Sequence, residues 1–148
     1  MSGKFNLMLI TEPWNIKVEH WGKFLEGLEN VLNYTHGDAT LGEVFSRIIS
    51  GQYQLYIAFY ENKYVGFMTT RFEDHPQGDK FMNVLHVYIK PNTPRDMWTQ
   101  AYKELEKLAI KYGYNKIRMW TEREKGWARK LEKEGWKPMY TEFIKEVE

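Results

Sequence analysis

Residues 81–121 read FMNVLHVYIKPNTPRDMWTQAYKELEKLAIKYGYNKIRMWT, and the fold turns on this stretch. Positions 81–89 are few, rich in β-branched and aromatic residues, and closed by Lys90-Pro91, which marks a strand. The period then changes. Met97, Trp98, Ala101, Tyr102, Leu105, Leu108, Ala109 and Tyr112 recur at helical spacing, and Gly113 supplies the stop. Residues 116–121 (KIRMWT) return to strand character. Strand, helix, strand in this order implies a parallel pair joined by a right-handed crossover.

Upstream, residues 53–60 (YQLYIAFY) read as a strand buried on both faces. A turn at 61–63 leads to a strand at 64–72, in which Gly66 signals a bulge or a close backbone approach. A second turn at 74–79 completes an antiparallel meander into 81–89. Further back, Thr40-Leu-Gly-Glu43 is a capping box opening a short helix with Leu41, Val44, Phe45, Ile48 and Ile49 inward, stopped at Gly51. Trp14, Val18, Trp21, Leu25, Leu28 and Leu32 form an earlier helical stripe, after a first strand at 5–11. Downstream, residues 124–134 are predicted as a short helix ending at Gly135, and 136–147 as a last strand. The predicted class is α/β, a mixed, mostly antiparallel sheet with helices on both faces, in a single domain spanning 1–148.

Composition bounds the chemistry. At 148 residues the chain is long enough to bury a core without staples, and the absence of Cys excludes disulfides, thiolate zinc sites, iron–sulfur clusters and cysteine nucleophiles. No run approaches the roughly 20 apolar residues that span a bilayer, and the N-terminal apolar run is too short for a signal peptide, so a cytoplasmic protein with no membrane partner is expected. The net charge of +1 argues against a polyanion binder. Residues 103–137 do carry eleven Lys and Arg against six Glu, an alternation that reads as a solvated helix face.

The order of elements resembles the GNAT N-acetyltransferase superfamily. The residues that carry the resemblance are Leu85-His-Val-Tyr-Ile-Lys-Pro91, the helix after it, Gly113-Tyr-Asn-Lys-Ile-Arg-Met-Trp-Thr121, Ala128-Arg-Lys-Leu131 and the Gly135-Trp136-Lys-Pro138 turn. The hairpin around Val65-Gly66 is similar to the family's second and third strands, and residues 40–58 resemble small GNAT-like proteins encoded in phage genomes. The resemblance implies an acetyl-CoA site where the fourth strand runs into the following helix. Amides at that helix N-terminus would cradle the diphosphate, and Tyr88 and Ile89 would offer edge groups to the pantetheine arm.

The loop 90–97 (KPNTPRDM) departs from the family's glycine-rich pattern. It has no glycine, and Pro94 brings no amide hydrogen. Thr93 and Asp96 form a capping box with Pro94 at the first helical position, so the helix end is predicted to satisfy its own amides. Asp96 also places a carboxylate where a phosphate would sit, while Arg95 could pair with a phosphate oxygen. The cofactor-binding candidates are therefore Tyr88, Ile89, Thr93, Arg95 and Met97.

The family's carboxylate base on the fourth strand matches Asn83, which cannot take a proton. His86 is a candidate base on the same strand, on the alternate face by simple alternation, against the plainer reading of a packed core histidine. Glu73, ending the preceding strand, could act through a water, or be an ordinary turn-flanking carboxylate. The family's general-acid Tyr falls on Leu131, and Tyr140 is the nearest substitute. His20, His36, His75 and His86 show no metal-ligand spacing, so no metal site is predicted.

Trp120, Trp127 and Trp136 lie among Lys116, Arg118, Arg123, Lys125, Arg129, Lys130 and Lys137. Core packing beneath basic stems is the plainest account; a protein contact comes next and single-stranded nucleic acid last. Two functional readings result. One is a GNAT-fold acyl-CoA-dependent N-acyltransferase with a degenerate cofactor loop, its amine acceptor a small molecule or a protein. The alternative is a non-catalytic GNAT-fold binding or assembly protein of a phage, with CoA chemistry lost and a protein partner or second copy in its place. The first predicts a gap between the strands near Tyr88 and Lys116 with free amides on the loop; the second predicts an exposed patch around Trp127 or Trp136.

Overall fold

A computed structural model describes residues 3–11, 22, 24–29, 40–119, 131–137, 145 and 147. Its sheet runs β1-β2-β3-β4-β5, with β1 at Phe5–Leu9, β2 at Gln54–Tyr60, β3 at Lys63–Asp74, β4 at Lys80–Ile89 and β5 at Lys116–Met119. The first four strands are antiparallel neighbours, and β4 and β5 are parallel. Helix α1 is Leu41–Ile49, and α2, Arg95–Lys111, makes the crossover from β4 to β5. Residues 24–29 are also helical. The mixed, mostly antiparallel sheet predicted from the sequence is the one observed. Most of the predicted helices at 14–32 and 124–134, and most of the predicted strand at 136–147, lie outside the described residues.

Each face of the sheet has its own core. Phe24, Leu28, Val44 and Ile48 close over Leu55, Ile57 and Phe67 on one face, where the Phe24 and Phe67 rings meet edge-on at 4.8 Å. On the other face Tyr102, Leu105 and Ala109 of α2 cover Tyr56, Met68, Met82 and Val84, and Met97 closes over Phe5, Ala58 and Tyr60. A fully buried side chain of this size contributes roughly 1.5–3 kcal/mol. Thr40 caps α1, accepting from the Glu43 amide at 3.2 Å, which is worth about 1 kcal/mol. The buried stripe of α1 is narrower than predicted. Val44 and Ile48 are buried, whereas Leu41 and Phe45 are more than a third exposed.

Two local features set the geometry of β4. Thr69 stands opposite His86 and Thr70 opposite Val84, so Leu85 is an extra residue on β4, a bulge that reverses the alternation of side chains. Gly66 of β3 lets the strands come together beyond it: a Cβ there would lie 1.9 Å from the Tyr88 carbonyl oxygen. The predicted close approach at Gly66 is therefore present.

Candidate active site

After the bulge, β4 has one edge committed to β3 and one edge beside which no described strand pairs. The Lys90 amide donates to the Val65 carbonyl at 2.8 Å, and the Tyr88 carbonyl lies against Gly66, so both residues turn their backbone groups toward β3. By alternation Val87 and Ile89 turn theirs the other way. On that side the described pairing with β5 reaches Val84 opposite Met119, the last described residue of that strand, and among the described residues no strand pairs with β4 beyond it. Tyr88, expected to offer edge groups, instead turns them toward β3, whereas Val87, which the sequence reading did not name, and Ile89 turn theirs to the other side. Lys116, expected to stand with Tyr88 at a gap between the strands, is paired with Phe81 instead. An apolar cavity of about 40 Å³ lies under α2, lined in part by Val87, Ile89 and Met119.

This strand leads directly into the start of α2. The helix begins at Arg95 with Pro94 in the capping position, its φ of −63° and ψ of 150° extended, and no side chain caps it. The predicted Thr93–Asp96 capping box is therefore not formed. Its physical reason lies 36 residues away: the Tyr60 hydroxyl donates to Asp96 Oδ2 at 2.8 Å and takes the carboxylate that the box would need. Hydrogen bonding to that carboxylate holds the Tyr60 phenol above its ordinary range. Asn92, with φ of 63°, adopts the left-handed turn that glycine would otherwise provide, a conformation Asn tolerates better than most residues. Thr93 is half-buried, and the Met97 side chain is fully buried while its amide donates to the Pro94 carbonyl at 3.2 Å. Arg95 heads the helix; its side chain is outside the described ones.

Before the bulge, a polar network occupies the face that α1 covers further along. Arg118 of β5 stands in register with Asn83 of β4 and donates from Nε to its Oδ1 at 2.8 Å. From Nη2 it reaches Glu73 Oε2 at 2.6 Å, and His75 Nε2 lies 2.8 Å from the same oxygen. The His75 and Arg118 hydrogen bonds hold the Glu73 carboxyl below the usual carboxylate range. The Phe81 ring floors the group, with the Arg118 guanidinium 4.3 Å above its centroid and the His75 ring edge-on at 4.9 Å. Sequence reasoning named Glu73 as a candidate base, but it counted Arg118 only among the basic residues around the tryptophans and gave His75 no role. Only the parallel register of β5 on β4 reveals that Arg118 meets Asn83.

His86 stands apart from this network. It is 8% exposed, and Thr69 Oγ1 lies 2.8 Å from its Nδ1. Burial pushes its pKa down to about 4, so at neutral pH it is an uncharged ring with one nitrogen already engaged. The bulge at Leu85 also puts Asn83 and His86 on the same face of the sheet, correcting the alternate-face expectation. Tyr140 lies outside the described residues, as do Trp120 and Trp127. Trp136 is half-buried against the core beneath α2. No described helix is long and apolar enough to cross a membrane.

No family model matches the sequence, and no curated protein does either. Solved structures do match its fold. An aminoglycoside acetyltransferase from an uncultured soil metagenomic sample, in complex with trehalose, superposes with a TM-score of 0.69 at 10% identity, covering 97% of each chain. A ribosomal-protein-alanine N-acetyltransferase from Brucella melitensis biovar Abortus 2308 gives 0.67 at 14% identity over 97% of this chain and 100% of its own. An aminoglycoside N-acetyltransferase in complex with CoA gives 0.61 at 10% identity, covering 99% of this chain and 97% of that one. This chain therefore has the GNAT fold.

Proposed function

We propose that this protein is an acyl-CoA-dependent N-acyltransferase acting on an amine. The observation that carries the reading is the junction of β4 with α2. A strand edge left unpaired by any described strand runs straight into a helix whose first turn no side chain caps. Backbone donors and acceptors in such a place call for a polar partner, and a helix N-terminus favours an anion. The solved structures of the same fold include one bound to CoA, which supports this assignment.

The residues present fit such a ligand. Val87 and Ile89 would pair with the amides of the pantetheine arm, and the Arg95 and Asp96 amides would face the diphosphate. When bound, acyl-CoA supplies an acyl group activated as a thioester. The work left to the protein is to hold the amine in line and to take its proton. Glu73 is the base we favour on its placement: Arg118 and His75 fix its carboxylate, and the same Arg118 holds Asn83, the strand position that the family resemblance marks for a base. His86, largely buried and uncharged at neutral pH, is the poorer choice.

Thermal unfolding with and without acetyl-CoA tests the reading. Ligand at about 100 times its dissociation constant stabilises a fold by roughly 2.7 kcal/mol, or about 5–10 °C for a chain of this size. A shift of that order is expected at millimolar acetyl-CoA. No shift would overturn the reading and leave the binding or assembly role.

A further inference from the structure

We propose that Tyr60 is a positioning residue for the acyl-CoA site: its hydroxyl draws the Asp96 carboxylate onto the sheet and so keeps the first turn of α2 open to a diphosphate. The inference rests on the acyl-CoA reading above and explains how this particular loop could serve it. A carboxylate in the first turn of a helix is attracted to the partial positive charge there. Left free, Asp96 would compete with a diphosphate for the same amides and repel it as well. The sequence alone makes Asp96 an obstacle.

The structure removes the obstacle by a chain of hydrogen bonds with only one possible direction. The Gly3 amide donates to the Tyr60 oxygen at 2.8 Å, and the single phenolic proton then goes to Asp96 Oδ2 at 2.8 Å. The Tyr60 ring is 9% exposed and packs with Phe5, Ala58 and Met97, so it cannot follow the carboxylate outward. Gln100, one turn further along α2, locks the other end of the arrangement. Its Nε2 donates to the Gly3 carbonyl at 2.7 Å, and its Oε1 accepts from the Phe5 amide at 3.0 Å. The chain entering β1, the end of β2 and the first turns of α2 are thereby held together. Asp96 is committed to that junction while no side chain caps the helix.

Calorimetric titration of the full chain with CoA and, separately, with inorganic diphosphate tests the latch in four proteins: wild type, Tyr60→Phe, Asp96→Asn and the double variant. Tyr60→Phe is expected to weaken both probes by roughly tenfold, as a released carboxylate moves to the helix end. The double variant is expected to return to wild-type affinity, since it has no charge to release. A merely structural role for the hydroxyl would leave the double variant as weak as Tyr60→Phe, because both lack the same hydrogen bond, and that result would overturn the proposal. So would wild-type affinity in Tyr60→Phe, or a loss seen with CoA and not with diphosphate. Asp96→Asn gives a check that does not depend on the folding of Tyr60→Phe. It should bind within about threefold of wild type, whereas a tenfold gain would mean that the carboxylate already obstructs the site. Binding of neither probe by any of the four proteins would overturn the acyl-CoA reading itself and the latch with it; wild-type binding with an unaffected Tyr60→Phe would overturn the latch alone.

Discussion

Before the bulge at Leu85, β4 runs in register with β5, and Asn83 and Arg118 face each other across a 2.8 Å hydrogen bond; after it, Val87 and Ile89 turn their backbone groups to an edge where no described strand pairs. The two halves belong to one ten-residue strand and share one neighbour, β3, along their whole length. Between them lies a single extra residue on β4, which reverses the alternation of its side chains against β3. In the first half the polar groups find partners within the protein, through Arg118, Glu73 and His75. In the second half the outward backbone groups have no described strand beside them, and the helix that follows lacks a side-chain cap. The contrast is one of partners: the first half pairs its polar groups within the protein, and the second turns backbone groups, which must be paired once they lose water, toward a side where no described strand pairs.

The largest effect is expected where the open half leans on β3. Gly66 sits so close to Tyr88 that an added Cβ would meet its carbonyl oxygen at 1.9 Å and its carbonyl carbon at 2.9 Å. These are backbone atoms, so no side-chain rotation relieves the clash. Gly66→Ala should cost at least about 3 kcal/mol, measured by denaturant unfolding, because the strands must part at that point. It should also weaken CoA binding, since Val87 and Ile89 move with the strand. A variant as stable as wild type would mean that the close approach does not govern this half.

This half was only partly readable in the sequence. The change of period near residue 97 and the stop at Gly113 matched α2 to within two residues at its start and one at its end. Glycine within a strand correctly marked close approach. The bulge could not be read, because Leu85 is extra only relative to Thr69 and Thr70 on another strand. The face of His86, counted by alternation past it, was shifted for that reason. The helix start was misread for a similar reason. Thr-Pro-Arg-Asp satisfies the local rule for a capping box, but Tyr60 holds Asp96. Local patterns yield to partners that are distant in sequence, and a single chain does not announce those partners.

His86, at the hinge of the comparison, should reveal itself by pH. Its pKa falls from the ordinary 6.5 to about 4 because burial penalises the charged ring. The unfolded chain therefore binds a proton that the folded one refuses between those values. Stability contributed by the neutral ring is full above about pH 6.5, declines as pH falls toward 4, and changes no further below it. The loss should approach roughly 3 kcal/mol. Denaturant titrations from pH 7 to pH 4 check it, and His86→Gln should flatten that part of the profile. An unchanged slope would place the titration in another group.

The closed half should break more gently, through Arg118. Its guanidinium is the shared partner of Asn83, which is 2% exposed, and of Glu73. Arg118→Met keeps much of the stem over Phe81 but leaves the Asn83 oxygen without that donor, so a cost of about 2 kcal/mol is expected. Acid behaviour sharpens the assignment. In the wild-type protein Glu73 is held below its ordinary range by His75 and Arg118. Its contribution to stability is therefore present above the unfolded carboxylate pKa and lost as pH falls through the lower folded value. Arg118→Met should shrink that acid-side loss, and Glu73→Gln should abolish it. CoA affinity measured alongside should change little in either variant, because both lie on the closed side of Leu85. Acyl transfer should fall in both, if Glu73 is the group that takes the proton. A protein that lost CoA binding together with Arg118 would show that the two halves of β4 are coupled across the bulge, and the division drawn at Leu85 would have to be abandoned.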